Sequence, residues 1–203
     1  MMTKYFETSL HGIPLVVRDI EPADVDSIIN YWHNGDREYW ESFGVDVRKI
    51  VSVEKTRATF MKSLPDRRTP SDRITIVAAI PSGIIAYTNV NLESDTVGYA
   101  HVHVIEPKFR SKGVAALLFT PTIRIFFQIF GLEKIYFQTS IENKRINSML
   151  RRRGLNPIRE LDVRDPDGMA LPGKFYLYEI DEHILDNLAS QPKTVHSNHT
   201  ETA

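Results

Sequence analysis

Hydrophobic and polar positions change period several times along the chain, and each change marks an element. In 13–20 the β-branched residues Ile13, Val16 and Val17 predict a first strand. Glu21-Pro22-Ala23-Asp24 then has the signs of a helix start, with proline in the first turn and acids at the positive end of the dipole. Val25, Ile28, Ile29 and Trp32 follow at i, i+3, i+4 and i+7, one apolar face, and Asn34-Gly35 ends the helix. A second helix is predicted over 53–64, stopped by Pro65.

The texture then becomes strand-like. Segments 73–80, 84–92 and 97–105 are joined by Pro81-Ser82-Gly83 and Glu93-Ser94-Asp95, which predicts an antiparallel meander. Beyond Pro107, 110–115 leads into an apolar helix reaching Phe130, with Gly131 as its cap and a kink expected at Pro121. Segment 134–141 is again a strand. A helix separates it from the strand before, so the two are expected to pair parallel through a right-handed crossover. A short helix over 143–153 ends at Gly154, and 158–164 and 174–180 form an antiparallel pair around Asp167-Gly168. The order is β-α-α-β-β-β-α-β-α-β-β. It predicts an α/β (α+β) fold with a mixed, mainly antiparallel twisted sheet flanked by helices.

Composition narrows the function classes. The 203 residues are 42% hydrophobic and 25% charged, enough for one buried core, here assigned to 1–189. Segment 190–203 has Val195 as its one large apolar residue and is expected to be a disordered tail. No apolar run approaches bilayer length and the first ten residues carry polar and charged residues where a signal peptide would need an apolar stretch, so a cytoplasmic protein with no membrane partner is expected. The absence of cysteine excludes a disulfide framework, a thiolate nucleophile and a Cys-based zinc site, and no metal site is predicted. A net charge of -1 gives no overall pull toward nucleic acid, although Arg67-Arg68 and Arg151-Arg152-Arg153 are local basic runs.

Candidate chemistry concentrates at Arg110-Ser111-Lys112-Gly113-Val114-Ala115. A strand-to-helix turn of the form Arg-x-x-Gly-x-Ala offers unpaired backbone N–H groups at a helix start, suited to a pyrophosphate, or serves as a tight turn only. Context makes the signal specific. Gly98-Tyr99, then Pro107 with 110–115, then Phe126-Phe127 and Gly131-Leu132, and last Asn143 with Gly154 eleven residues on, stand in one order. This set resembles the core of the GNAT superfamily of N-acetyltransferases, closest in pattern to its ribosomal-protein N-terminal acetyltransferase-like (RimJ/RimL-type) branch. The opening 17–24 is also similar to that family, and the resemblance spans about 13–180.

The resemblance implies acetyl-CoA as co-substrate, with its pyrophosphate on the backbone of 110–115. It implies that the strands at 97–105 and 134–141 splay apart to admit pantetheine. A backbone N–H around Val104 to Glu106, with Val104 and Ile105 as the chosen residues, would polarise the thioester carbonyl. Asn143 would hold the pantetheine arm, or act only as a helix cap. The implied acceptor is an amine of a small molecule or peptide, and the implied assembly is a monomer or homodimer.

Amine acylation needs a base, because an alkyl ammonium has a pKa around 10.4. Tyr99, His101 and His103 alternate onto one face of their strand, and both histidines suit that task; hydrogen-bonded strand residues are the plainer alternative. Glu106 has the opposite parity. On the short helix the family's usual Tyr position is Leu150, and its frequent Ser position is Ile146. Ser148 is the substitute assigned as acid, with Asn147 beside it. Tyr31, Trp32, Tyr39, Trp40 and Phe43 cluster after the first helix; Tyr39, Trp40 and Tyr99 are assigned to an acceptor pocket, against a core role for Trp32 and Trp40. A non-catalytic acyl-CoA-binding module is the rival to an enzyme.

Overall fold

A computed structural model describes residues 2–66, 73–166 and 168–190. Eight strands form one sheet in the order β1-β2-β3-β4-β5-β6-β8-β7. They are β1 (Lys4–Leu10), β2 (Ile13–Asp19), β3 (Ile74–Ile80), β4 (Gly83–Leu92), β5 (Val97–Val104), β6 (Lys134–Ser140), β7 (Arg159–Val163) and β8 (Gly173–Ile180). Neighbours are antiparallel except β5 and β6, which pair parallel across the crossover helix α4 (Val114–Phe130). The fold class, the meander and the parallel pair are as the sequence predicts.

Two cores lie on the two faces. On one, α4 and α6 (Glu182–Ser190) pack on the sheet through Leu118, Phe119, Ile123, Phe126, Leu185 and Leu188, with α5 (Lys144–Arg152) alongside. On the other, α1 (Asp24–Asn34), α2 (Arg37–Glu41) and α3 (Val53–Lys62) cover Val77 and Tyr87 with Val25, Ile28, Trp32, Trp40 and Phe60. Asp24 fixes the start of α1: it accepts Glu21 N–H at 2.8 Å and holds Arg18 of β2 through contacts of 2.7 and 3.0 Å. The helix α4 runs continuously through Pro121.

Three elements exceed the sequence reading. β1 has no clean alternation, because its pairing with β2 shifts register between Lys4 and Phe6 and turns neighbouring side chains to unexpected faces. The helix α2 is five residues long, set by an Asp36 cap accepting Tyr39 N–H at 3.2 Å, too short for a periodic signal. The helix α6 is docked by buried Leu185 and Leu188 and by Asp186 to Arg124 at 2.8 Å, contacts made far along the chain. Residues 191–203, Asp167 and the pair Arg67-Arg68 lie outside the described residues. Among the described residues no helix is long and apolar enough to cross a membrane.

Gly98 is the middle of the three β5 residues that pair with β6. A Cβ there would lie 2.7 Å from Val90 Cγ2 and 3.0 Å from Leu132 Cδ1, both on buried side chains. Gly98→Ala is therefore expected to cost about 1–3 kcal/mol through overpacking. A thermal melt should fall by roughly 2–12 °C; an unchanged midpoint would mean that Val90 and Leu132 yield freely.

Candidate functional site

β5 and β6 are paired only at Val97, Gly98 and Tyr99, opposite Lys134, Ile135 and Tyr136. Beyond Tyr99 no register pair joins them, and a cleft of about 730 Å³ opens between them. That size suits a ligand of several hundred daltons. Ile105 N–H donates to Ile85 C=O at 2.9 Å, so alternation along the antiparallel pair turns the N–H groups of Val102 and Val104 away from β4, to the cleft side.

At one end of the cleft stands the start of α4. Gly113 caps it at φ +84, and Ser111 two residues before has φ +63. A Cβ on Gly113 would meet no atom within 4 Å, so glycine is needed there for its backbone angle rather than for room. The first helical bond runs from Leu117 N–H to Gly113 C=O at 2.9 Å, leaving 114–116 without intrahelical acceptors for their N–H groups. Successive N–H groups around left-handed residues make an anion-binding concavity, reinforced by the dipole of a 17-residue helix.

Arg110, Lys144, Arg145 and Arg152 line the same cleft and add positive charge. The three consecutive arginines diverge: Arg151 lies over the Tyr176 ring at 5.2 Å and Arg152 faces the cleft. Arg153 donates to Thr120 Oγ1 at 3.0 Å and Ala116 C=O at 2.5 Å, bracing the first turns of α4. These features fit a diphosphate-bearing cofactor.

His101 and His103 face the cleft from β5, their rings stacked 6.3 Å apart. His103 is walled by Tyr87 at 4.8 Å, Trp32 at 5.2 Å and Tyr31 at 5.9 Å, and its Nδ1 is 3.4 Å from the Tyr31 hydroxyl. Burial pushes the His101 pKa down to about 4, with the Arg73 charge adding to the effect. Burial also drives His103 well below the usual imidazole range, followed by the charges of His101 and Arg73. Both rings are neutral at pH 7 and able to accept a proton.

The structure brings most of the sequence-predicted residues together. Tyr39, His101, His103, Val104, Arg110, Ser111, Gly113, Val114, Ala115, Asn143 and Ser148 all border the cleft. Asn143 also caps α5, its Oδ1 accepting Ile146 N–H at 3.3 Å, so a place at the cleft and a capping role coexist in one side chain.

Four predicted residues lie elsewhere. Trp40 is 4% exposed and stacks on Trp32 in the core, the packing alternative. Tyr99 sits where β5 and β6 are still paired, its hydroxyl donating to Gln138 Oε1 at 2.7 Å. The Ile105 N–H is spent on β4, which leaves Val104 as the strand-end donor facing the cleft. Lys112 stands outside, its carbonyl 3.2 Å from Nε2 of His11 at the β1–β2 hairpin tip. Asn147 is also structural: its Oδ1 accepts from Thr139 and, at 3.0 Å, from Tyr178, while its Nδ2 donates to Ser140 C=O at 2.9 Å. Leu150 is fully buried. Sequence reasoning missed Lys144 and Arg145 as cleft residues and favoured a solvated helix face for Arg151-Arg152-Arg153 over a cofactor contact, because charges on a helix carry no mark of which face meets a cleft.

Comparison with known proteins agrees with this geometry. The model of the acetyltransferase (GNAT) domain family matches residues 15–156. Among solved structures, Mycobacterium smegmatis RimJ in complex with CoA-disulfide superposes with TM-score 0.70 at 12% identity, covering 92% of this chain and 93% of that one. Ribosomal-protein-S5-alanine acetyltransferase from Vibrio fischeri gives 0.67 at 14% identity, covering 88% and 96%. Spermidine N-acetyltransferase from Vibrio cholerae, in complex with CoA and spermine, gives 0.66 at 17% identity, covering 84% and 97%. No curated protein matches the sequence. With the family model spanning more than half of its length, and with the splayed β5–β6 cleft and glycine-capped α4 in place, the chain belongs to the GNAT acetyltransferase family.

Proposed function

We propose that the chain is an acetyl-CoA-dependent N-acetyltransferase acting on a primary amine of a small molecule or of a protein N-terminus. The observation that carries this reading is the cleft itself, which runs from the anion-binding start of α4, past the exposed backbone edge of β5, to two neutral imidazoles. Acetyl-CoA supplies an acetyl group already activated as a thioester. The N–H groups of 114–116 and the charges of Arg110 and Arg152 hold its diphosphate region. Asn143 and the free edge of β5 take the pantetheine arm. Val104 N–H polarises the acyl carbonyl, a task for a fixed donor in a partly dry site.

His101 takes the proton that the amine must lose. Ser148, exposed at the cleft, is the side-chain hydroxyl on α5 placed to return a proton to the departing thiolate. Tyr31, Tyr39 and Phe43 give the acceptor side an aromatic wall.

One observation favours a second reading, a GNAT-fold module that binds acyl-CoA without turnover. Leu150 and Ile146 stand where the family often has Tyr and Ser, and Leu150 is buried, so α5 offers little acid chemistry. Calorimetric titration with CoA, followed by thiol-release assays on polyamines, amino acids and short peptides, separates the two. Micromolar CoA binding with thiol release on one amine class is expected. Binding with no release on any amine would favour the module, and no binding would overturn both.

A further inference from the structure

Arg110 makes no side-chain hydrogen bond among the described residues, and its Nε is buried without a partner. None of the ion pairs formed among those residues includes it. A long, charged side chain with four free torsions is nevertheless held in one place at the cleft. What holds it is a ring: the guanidinium carbon lies 3.3 Å from the centroid of Tyr39. Tyr39 belongs to α2, on the α1–α3 side of the sheet, whereas Arg110 belongs to the loop before α4. The contact therefore joins two walls of the cleft.

Tyr39 is itself clamped. Its N–H is capped by Asp36 at 3.2 Å, its carbonyl accepts the Ser42 hydroxyl at 2.6 Å, and its ring meets Phe43 edge-on at 4.3 Å. Stacking uses the face of a guanidinium and leaves its in-plane N–H groups for oxyanions, a combination that Arg permits and Lys does not.

We propose that Tyr39 is a positioning residue for the cofactor: it is the platform that holds Arg110 flat, with an N–H edge available to the diphosphate, so that the acceptor-side helix α2 contributes to cofactor affinity. The inference rests on the acetyl-CoA reading above and changes the part Tyr39 plays in it. An aromatic wall that only contacts the acceptor would leave CoA affinity unaffected by its loss. A platform for Arg110 ties the two together, and movement of α2 on acceptor binding would be felt at the diphosphate.

The test is a double-mutant cycle on CoA affinity, read by calorimetry on the full chain. Tyr39→Phe keeps the aromatic face and should bind within about twofold of wild type. Tyr39→Leu should weaken binding roughly three- to thirty-fold, the range for loss of a partly desolvated cation–π contact. In an Arg110→Ala background, Tyr39→Leu should have no further effect. Wild-type affinity in Tyr39→Leu, or losses that simply multiply in the double variant, would overturn the proposal. Should Tyr39→Leu fail to fold, Arg110→Lys reads the same contact: it keeps the charge and loses the planar stack, and wild-type affinity there would equally overturn it. Wild-type protein that binds no CoA would instead refute the cofactor reading, an outcome visible before any variant is made.

Discussion

Replacing His101 with alanine is expected to lower kcat for amine acetylation by about two to four orders of magnitude, the usual worth of a positioned base, with CoA affinity unchanged. Both histidines border the cleft, but they are held differently. The His103 ring is enclosed by Tyr31, Trp32 and Tyr87, and its Nδ1 faces the Tyr31 hydroxyl. The His101 ring, flanked by Tyr99 at 5.3 Å and by His103, has no side-chain hydrogen bond among the described residues, so its lone pair is available to an incoming amine. His103→Ala is expected to cost less rate and more stability, since it leaves a gap among packed rings.

The pH profile gives an independent reading. Burial, with Arg73 second, lowers the His101 pKa to about 4, so the imidazole is deprotonated at every pH above about 5. The acid limb of kcat/KM is expected near 4 rather than near the ordinary imidazole value of about 6.5, with a rise toward alkaline pH as the amine deprotonates. The same shift links to folding. Between about 4 and 6.5 the unfolded chain binds a proton at this position that the folded chain does not, so this group makes stability rise with pH across that window. Full rate and an unchanged profile in both alanine variants would show that neither imidazole is the base.

Gly113→Val is expected to weaken CoA binding by about ten- to a thousand-fold, as one or two charge-assisted hydrogen bonds are lost. The cause is backbone angle. Gly113 holds φ +84, where a β-branched residue is strained, and the loop would relieve that strain by re-aiming the N–H groups that follow. Because a Cβ at this position meets no atom within 4 Å, the core of α4 stays intact, and the melting temperature should fall only by the few degrees that about 1–2 kcal/mol of backbone strain costs. Gly113→Ala should fall between wild type and valine. Unchanged calorimetric affinity in the valine variant would remove this loop from the cofactor site.

What the sequence made legible was what local chemistry marks. Gly113 and Gly131, both left-handed caps, bracket α4; Asn143 caps α5; and the alternation of Tyr99, His101 and His103 puts three rings in a row on one face. The β-α-β order implied a parallel pair, and β5 and β6 form it. What stayed hidden depends on partners far along the chain. The family resemblance implied that β5 and β6 splay apart, but no local pattern says that they do so after Tyr99, which leaves Tyr99 in the paired part and His101 in the open part of one strand. Trp40 and Tyr39 are adjacent and both aromatic, yet helical geometry turns one into the core and the other over Arg110. The short α2 and the bulged β1 lack the length or regularity that periodicity needs.

The divergence of β5 and β6 also bears on how the molecule keeps its own backbone from unwanted company. An ordinary open sheet ends in two outer edges, and exposed edges invite pairing with other chains. Here β1 and β7 are those edges, and the divergence adds two more inside the sheet, along β5 above Tyr99 and along β6 facing it. An inner edge is closed at one end by the Tyr99–Tyr136 pair and lined by side chains from α2, α4 and α5. A slender, extended molecule one strand wide can slide into such a slot and satisfy it. The rim of a second sheet carries further strands beside its edge, so an inner edge walled on both sides is less open to it than the outer edges of β1 and β7.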